Sequence, residues 1–246
     1  MEILQITTDM VVNGLYSGPD VSNYSGHIHI PAGLGCVKFT GSLMAAGRIL
    51  AEAGSGIEAG SGIKAGWGIK AGWDIKAGDS IEAGDSIEAG WDIEAGSGIK
   101  AGSGIKAGDS IKAGWGIKAG DSIKAGDSIK AGWDIKAGDS IKAGSDIEAG
   151  SGIKAGWDIK TGYSIKAGSD IEAGWDIEAG DSIEAGEGIE AGFAVCAKWV
   201  SARLRIFVGL CMCRLPTAEE AQLRAELRSG TIAFGEHVPP VKEIDQ

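Results

Sequence analysis

Apolar and polar positions recur along most of this chain with a period of six. Residues 53–190 read Ala-Gly-x-x-Ile-(Lys/Glu) 23 times in succession, without insertion or deletion. Thr161, standing for one alanine, is the single departure at the Ala, Gly and Ile positions. A degenerate 24th unit follows as Ala191-Gly-Phe-Ala-Val-Cys196. Before the run, Thr40-Gly-Ser-Leu-Met-Ala45 and Ala46-Gly-Arg-Ile-Leu-Ala51 read as degenerate units, with Glu52 as one extra residue. In Ile-Lys-Ala, extended backbone places Ile and Ala on one side and the charge on the other. Gly-x-x then turns a corner, where the tolerance of glycine for positive φ would serve. A helix is excluded, because each of these glycines would cost about 1 kcal/mol against alanine. No proline occurs between Pro31 and Pro216, which suits a ladder that needs every backbone N–H. One hexapeptide cannot bury its isoleucine alone, so the units must coil and stack. The pattern therefore predicts an all-β parallel β-helix (a β-solenoid), with Ile and Ala inside and Lys, Glu, Asp, Ser and Trp outside.

The third position of the repeat sets the size of the coil. Tryptophan stands there at 67, 73, 91, 115, 133, 157 and 175. Trp73 and Trp91 are three hexapeptides apart, as are Trp115 and Trp133, Trp157 and Trp175, and then Phe193. Three hexapeptides per coil would stack each pair on adjacent rungs; two would stack none of them. The Lys/Glu position agrees: at an offset of three hexapeptides 12 of 20 neighbours are oppositely charged, and at an offset of two, 9 of 21. Like charges directly opposed are unfavourable, so the chain is expected to form a triangular coil of about 18 residues per turn, with seven to eight rungs in the repeat.

The run resembles two families of triangular β-helix proteins. In the left-handed hexapeptide-repeat acyltransferases a large aliphatic residue precedes the glycine and a small one follows four positions later; here Ala precedes and Ile follows. Bactofilin-like polymer-forming proteins carry Gly-Asp-(Ile/Val)-x-Ala strings, and Trp73-Asp-Ile-Lys-Ala77 and Asp79-Ser-Ile-Glu-Ala83 look closer to that pattern. The second resemblance implies architecture and leans toward a right-handed coil. Near-perfect repeats of this kind also resemble those of prophage-type proteins.

The ends read differently. Residues 1–52 are expected to form an N-terminal cap with irregular first coils, including a strand at His27–Ile30; residues 53–196 form the solenoid; residues 197–246 form a C-terminal cap and oligomerisation region. Residues 201–208 alternate apolar and basic side chains, as a strand does, and residues 231–234 read as another. Pro216-Thr217-Ala-Glu-Glu220 has the form of a capping box opening a helix to Arg228, ended by Ser229-Gly230. Leu223, Ala225 and Leu227 alternate at period two, so the same segment also fits a strand.

Charge and chemistry narrow the function. The chain carries −11, and residues 53–190 hold 14 Lys against 14 Asp and 10 Glu, whereas residues 197–246 sum to +1. A hydrophobic content of 43% is too high for a disordered acidic tail. No apolar run approaches the ~18 residues of a transmembrane helix, and no secretory signal opens the sequence. Cys36, Cys196, Cys211 and Cys213 are then read as reduced thiols of a cytoplasmic protein. Cys211-Met212-Cys213 lacks the second ligand pair of a zinc site. His27, His29 and His237 all lie outside the repeat, so the rungs offer no base, and neither catalysis nor a cofactor is expected. His27-Ile-His29 would present both rings on one side of a strand, half a metal site without an acidic or cysteine partner in view. Asp109 with Asp127, and Asp121 with Asp139, would stack in columns, but Ser and Gly interrupt them and Ca²⁺ wants six to eight oxygens. They read as a solvated corner.

Trp67, Trp73, Trp91, Trp115, Trp133, Trp157 and Trp175 are the candidate partner-binding residues. They either lie along the corner and stack on one another or form a contact surface, where Trp dominates hot spots. The expected function is a non-enzymatic protein-interaction or structural scaffold, oligomeric through its C-terminal region. It would bind another protein through acidic, Trp-bearing walls and terminal caps. The alternative is a phage-type anti-defence inhibitor, either an acidic nucleic-acid mimic occupying a host nucleic-acid-binding or defence protein, or a small-ligand sponge. Neither membrane association nor direct nucleic-acid binding is expected.

Overall fold

The structure, a computed structural model, describes residues 1–210, 216–217 and 219–240. The chain divides into two compact units, Met1–Gly132 and Trp133–Gln246. Each is a parallel β-solenoid with three strands per coil, and the one described helical turn is the 3-10 segment Thr8–Met10.

In the first unit every repeat contributes one strand, Ile-(Lys/Glu)-Ala, paired in parallel with the strand three repeats away. Ile57, Ile75, Ile93, Ile111 and Ile129 form one stack. Ile63, Ile81, Ile99 and Ile117 form the second. Ile69, Ile87, Ile105 and Ile123 form the third. In the second unit the stacks run Ile135 to Ile189, Ile141 to Ile177 and Ile147 to Ile183 by the same three-repeat steps. Three hexapeptides per coil is thus the observed register. All of these isoleucines are at most 1% exposed, each contributing about 1.5–3 kcal/mol of burial. The charged residue between Ile and Ala points outward on every strand.

Both ends extend the stacks beyond the repeat. His27–Ile30 is a strand, as its pattern predicts, lying between Ile3–Gln5 and Ile49–Ala51. Val37, Leu43 and Ile49 pair with Ile57, Ile63 and Ile69, so this coil is longer than those of the repeat. Ala45 aligns with Ala65. The early frame is therefore shifted by one position from the reading above, and the insertion is a pair, Glu52 and Ala53. At the other end Val195–Val208 is a single strand of 14 residues. Its Val195, Val200 and Ile206 sit beside Ile177, Ile183 and Ile189. Gln222–Phe234 adds Leu223, Leu227 and Ile232 above them. The helix to Arg228 does not form. The turn half of its signature does: Thr217 N–H donates to the Glu220 carboxylate at 2.8 Å, and Ala221 N–H to Thr217 O at 3.1 Å. Burial of Leu223 and Ala225 at 0% and 1% then selects the period-two reading over the helical one.

The invariant glycine answers to close approach rather than to positive φ. Among the repeat glycines only Gly54 adopts positive φ. Elsewhere a Cβ on the second-position glycine would overlap the carbonyl oxygen one coil earlier, as Gly84 would with Gly66 and Gly174 with Gly156. The coils pack backbone on backbone at this corner, and no side chain fits between them. At the fourth position the space is looser: a Cβ on Gly104 would lie 3.3 Å from Ser122 O. The sequence accordingly admits Gly, Ser and Asp there.

At the third position Asp109, Asp121 and Asp127 are exposed, whereas the aspartates of the fourth position are built into the coil. Each accepts a hydrogen bond from the backbone N–H one coil on: Asp74 from Asp92 at 3.1 Å, Asp92 from Ser110 at 2.9 Å, Asp134 from Gly152 at 3.0 Å. Asp146, Asp158, Asp170 and Asp176 do the same for Ser164, Asp176, Gly188 and Ala194. The one irregular repeat is satisfied too: Thr161, 5% exposed, donates its hydroxyl to Ser145 O.

Candidate interaction surfaces

The seven tryptophans all sit at third-position corners. Trp73 stacks on Trp91 with centroids 5.1 Å apart and planes 7° from parallel. Trp157 stacks on Trp175 at 5.3 Å and 10°, and Trp175 continues to Phe193 at 6.3 Å, tilted by 45°. Trp67 meets the edge of His27 at 5.0 Å instead. Stacking does not hide them: Trp67, Trp91, Trp157 and Trp175 remain 54, 48, 47 and 40% exposed, and Trp115 and Trp133 reach 68%. Only Trp73 is half-buried.

His27 and His29 share one side of their strand, as expected, but each ring is engaged locally. His27 Nδ1 accepts Arg48 N–H at 2.9 Å. The ring nitrogens of His29 lie 2.9 Å from Gln5 Oε1 and 2.9 Å from Glu52 Oε1. Glu52 is the acidic neighbour that linear distance along the chain hides, brought in by the Glu52–Ala53 insertion. No group of three His, Cys, Asp or Glu able to hold a metal occurs among the described residues. Cys36 and Cys196 are free thiols. Burial pushes both thiols up, with nearby Glu58 and Glu178 adding to it. Cys211-Met212-Cys213 lies outside the described residues.

Along the walls, oppositely charged neighbours one coil apart form ion pairs: Lys64–Glu82 at 3.1 Å, Lys70–Glu88 at 3.0 Å, Lys112–Glu94 at 3.5 Å, and Lys154–Glu172 and Lys160–Glu178. Hydrogen bonding to the glutamates holds the Lys154 and Lys160 ammonium groups above the usual range. Lys136 Nζ lies 2.8 Å from Asp134; this contact, with Gly152 N–H, holds the Asp134 carboxyl below the usual carboxylate range. Burial does the opposite to Asp176, despite the Ala194 N–H it accepts.

The acidity is segregated. Residues 95–132, in the first unit, hold six lysines and three aspartates. Residues 167–190, in the second, hold five glutamates and three aspartates with no lysine or arginine. Two concave volumes of about 430 and 460 Å³ lie over this acidic stretch and share Glu172 and Glu190. The first is completed by Asp170, Leu204, Arg205 and Phe207, the second by Lys154, Trp157, Trp175 and Leu210. Leu204 is 57% exposed. Charge-run counting along the repeat finds this segregation; the apolar rim comes from a later coil and is placed only by the register.

The class this defines is a three-faced parallel β-solenoid with aromatic corners and charged walls. No family model matches the chain, and neither does any curated protein or solved structure. The likeness to bactofilin-like proteins therefore rests on short strings such as Trp73-Asp-Ile-Lys-Ala77. Among the described residues no helix is long and apolar enough to cross a membrane.

Proposed function

We propose that the protein is a non-enzymatic interaction scaffold that docks other proteins on its corners and walls and self-associates. The observation that carries this reading is the set of six tryptophans left 40–68% exposed on a hydrogen-bonded frame. An indole already held in a stack has little rotamer freedom left to lose on binding, and Trp is the residue most enriched at binding hot spots. Affinity capture from lysate with the wild type and with Trp115→Ser/Trp133→Ser tests it. A protein partner retained by the first and lost by the second supports docking at the corners. Capture that is indifferent to this pair, and to serine at Trp67, Trp73, Trp91, Trp157 and Trp175 in a second variant, overturns it.

A second reading is favoured by the eight carboxylates of residues 167–190. An acidic decoy would occupy the nucleic-acid site of a host defence protein by charge. Such a complex should dissolve near 1 M salt, where the screening length is about 3 Å. A complex that survives that salt rules the decoy out.

A further inference from the structure

We propose that the acidic wall carrying Glu172 and Glu190 binds the lysine wall carrying Lys100 and Lys118 of a second copy of this chain. The inference rests on the scaffold reading and names its partner. Most in-register wall neighbours within each unit are oppositely charged, Glu82 beside Lys100 and Lys154 beside Glu172 among them, but the next pair in each case is not. Lys100 lies in register beside Lys118, and Glu172 beside Glu190. Like charges directly opposed across a sheet destabilise it. Among the described residues Lys100, Lys118 and Glu190 form no ion pair, and Glu172 pairs with Lys154. A wall of opposite sign brought from outside turns both costs into attraction.

Geometry makes a second copy the fitting partner. Both walls are built from the same three-hexapeptide coil, so their charges recur with one spacing, about 4.8 Å per rung. Two lysines one coil apart therefore meet two glutamates one coil apart without adjustment of either backbone. The acidic wall is also concave. The volume of about 430 Å³ beside Glu172 and Glu190 is lined by exposed Leu204 and by Phe207. Such a surface suits the aliphatic stems of lysines whose ammonium groups reach the carboxylates. Arg205 also lines it, and Lys154 lines the neighbouring volume and pairs with Glu172, so an approaching lysine wall must accommodate both cations. A nucleic-acid duplex fits the lysine wall less well. Asp109, Asp121 and Asp127 interrupt the lysine stretch, and a chain of −11 repels a polyanion over distance. Because the two walls are different surfaces, the contact is heterologous, and each bound copy keeps one wall free for another.

Sedimentation velocity of the full chain tests this. At low salt the wild type should sediment as concentration-dependent assemblies and fall to 25.1 kDa monomers as salt approaches 1 M, where screening leaves about 3 Å. Lys100→Glu/Lys118→Glu should be monomeric. So should Glu172→Lys/Glu190→Lys and, with the Lys154–Glu172 pair left intact, Glu190→Lys alone. Mixing the lysine variant with either glutamate variant should restore association, now between unlike chains. Circular dichroism confirms that each variant is folded. A wild type that stays monomeric at low salt overturns the proposal and the self-association of the scaffold, while leaving partner capture at the tryptophans untouched. So do assemblies that survive both charge reversals, mixtures that stay monomeric, or a labelled DNA duplex that competes the copies apart at the lysine wall.

Discussion

Repeat coils and C-terminal coils line the same kind of interior with different corners. In the repeat, Ile87 and Ile105 are separated by three corners, each with a glycine whose Cβ would strike the previous coil's carbonyl. In Val195–Val208 the chain passes Val195, Val200 and Ile206 as one continuous strand with no glycine at all. Its register shifts against the next coil at several points. The contrast separates two requirements that the repeat fuses. Inward apolar residues on consecutive faces make a coil; glycine is needed only where corners stack backbone on backbone at constant pitch. A regular corner gives uniform register, and an irregular one admits bulges and side chains such as Leu204 that project from the wall.

The largest test of that division is a charge in the interior. Ile123 and Ile206 are both 0% exposed. Ile123→Asp leaves an unpaired carboxylate among stacked neighbours and should cost more than about 4 kcal/mol. Ile206→Asp lies in the last coils of the described stack, with only Ile232 beyond it, and these can fray without the rest, so its melting transition by circular dichroism should shift less. Equal losses would show that the terminal coils are as cooperative as the repeat.

The corner rule gives the next test. Gly84→Ala drives a Cβ into Gly66 O and should cost about 1–3 kcal/mol through a forced backbone shift. Gly104→Ala, whose Cβ meets Ser122 O at 3.3 Å, should cost a small fraction of that, since Ser and Asp occupy the equivalent site elsewhere. Urea melts that rank the two variants alike would remove close approach as the reason for the invariant glycine.

How far the chain can be read in advance follows the same line. The period, the three-hexapeptide coil, the inward Ile and Ala and the Trp73–Trp91 and Trp157–Trp175 stacks are all written in local spacing. The spacing also locates the corner glycines, but for the wrong reason: positive φ is a property of one residue, and close approach is a property of two coils. The aspartate ladder escapes the sequence on the same ground, because Asp92 and Ser110 N–H meet only once the coil is closed. His29 and Glu52 meet through an insertion that shifts the frame. In the C-terminal region Thr217 and Glu220 make their turn, but burial of Leu223 overrules the helix that such a turn often opens.

The aspartate ladder predicts a pH effect of opposite sign at two sites. Asp134 has a depressed folded-state pKa, so it contributes stability above the ordinary Asp pKa of about 3.9 and loses it as pH falls through the lower folded value. Asp134→Asn keeps an acceptor for Gly152 N–H but loses Lys136, and should lower the neutral-pH stability by up to about 1 kcal/mol. It should also flatten the loss on acidification. Asp176 has a raised folded-state pKa, so its ionisation costs stability as pH rises through that value. Asp176→Asn should be neutral or stabilising at pH 7. Melting temperatures between about pH 2 and pH 7 decide it, and parallel profiles for the two variants would refute the assigned environments.

The smallest effects lie on the walls, and they compare an oppositely charged pair with a like-charged pair of the same column. Lys70 and Glu88 pair at 3.0 Å with both side chains well exposed, so a double-mutant cycle to alanine should give a coupling of only about 0.2–1 kcal/mol, shrinking with salt. Lys106 and Lys124 stand in register one coil apart. Lys124→Glu places a carboxylate opposite Lys106 and should raise stability by about 0.2–1 kcal/mol, on the scale of one cross-strand pair. That gain belongs to the isolated chain. If the chain nevertheless retains lysine pairs that a single substitution would improve, folding stability alone does not account for them.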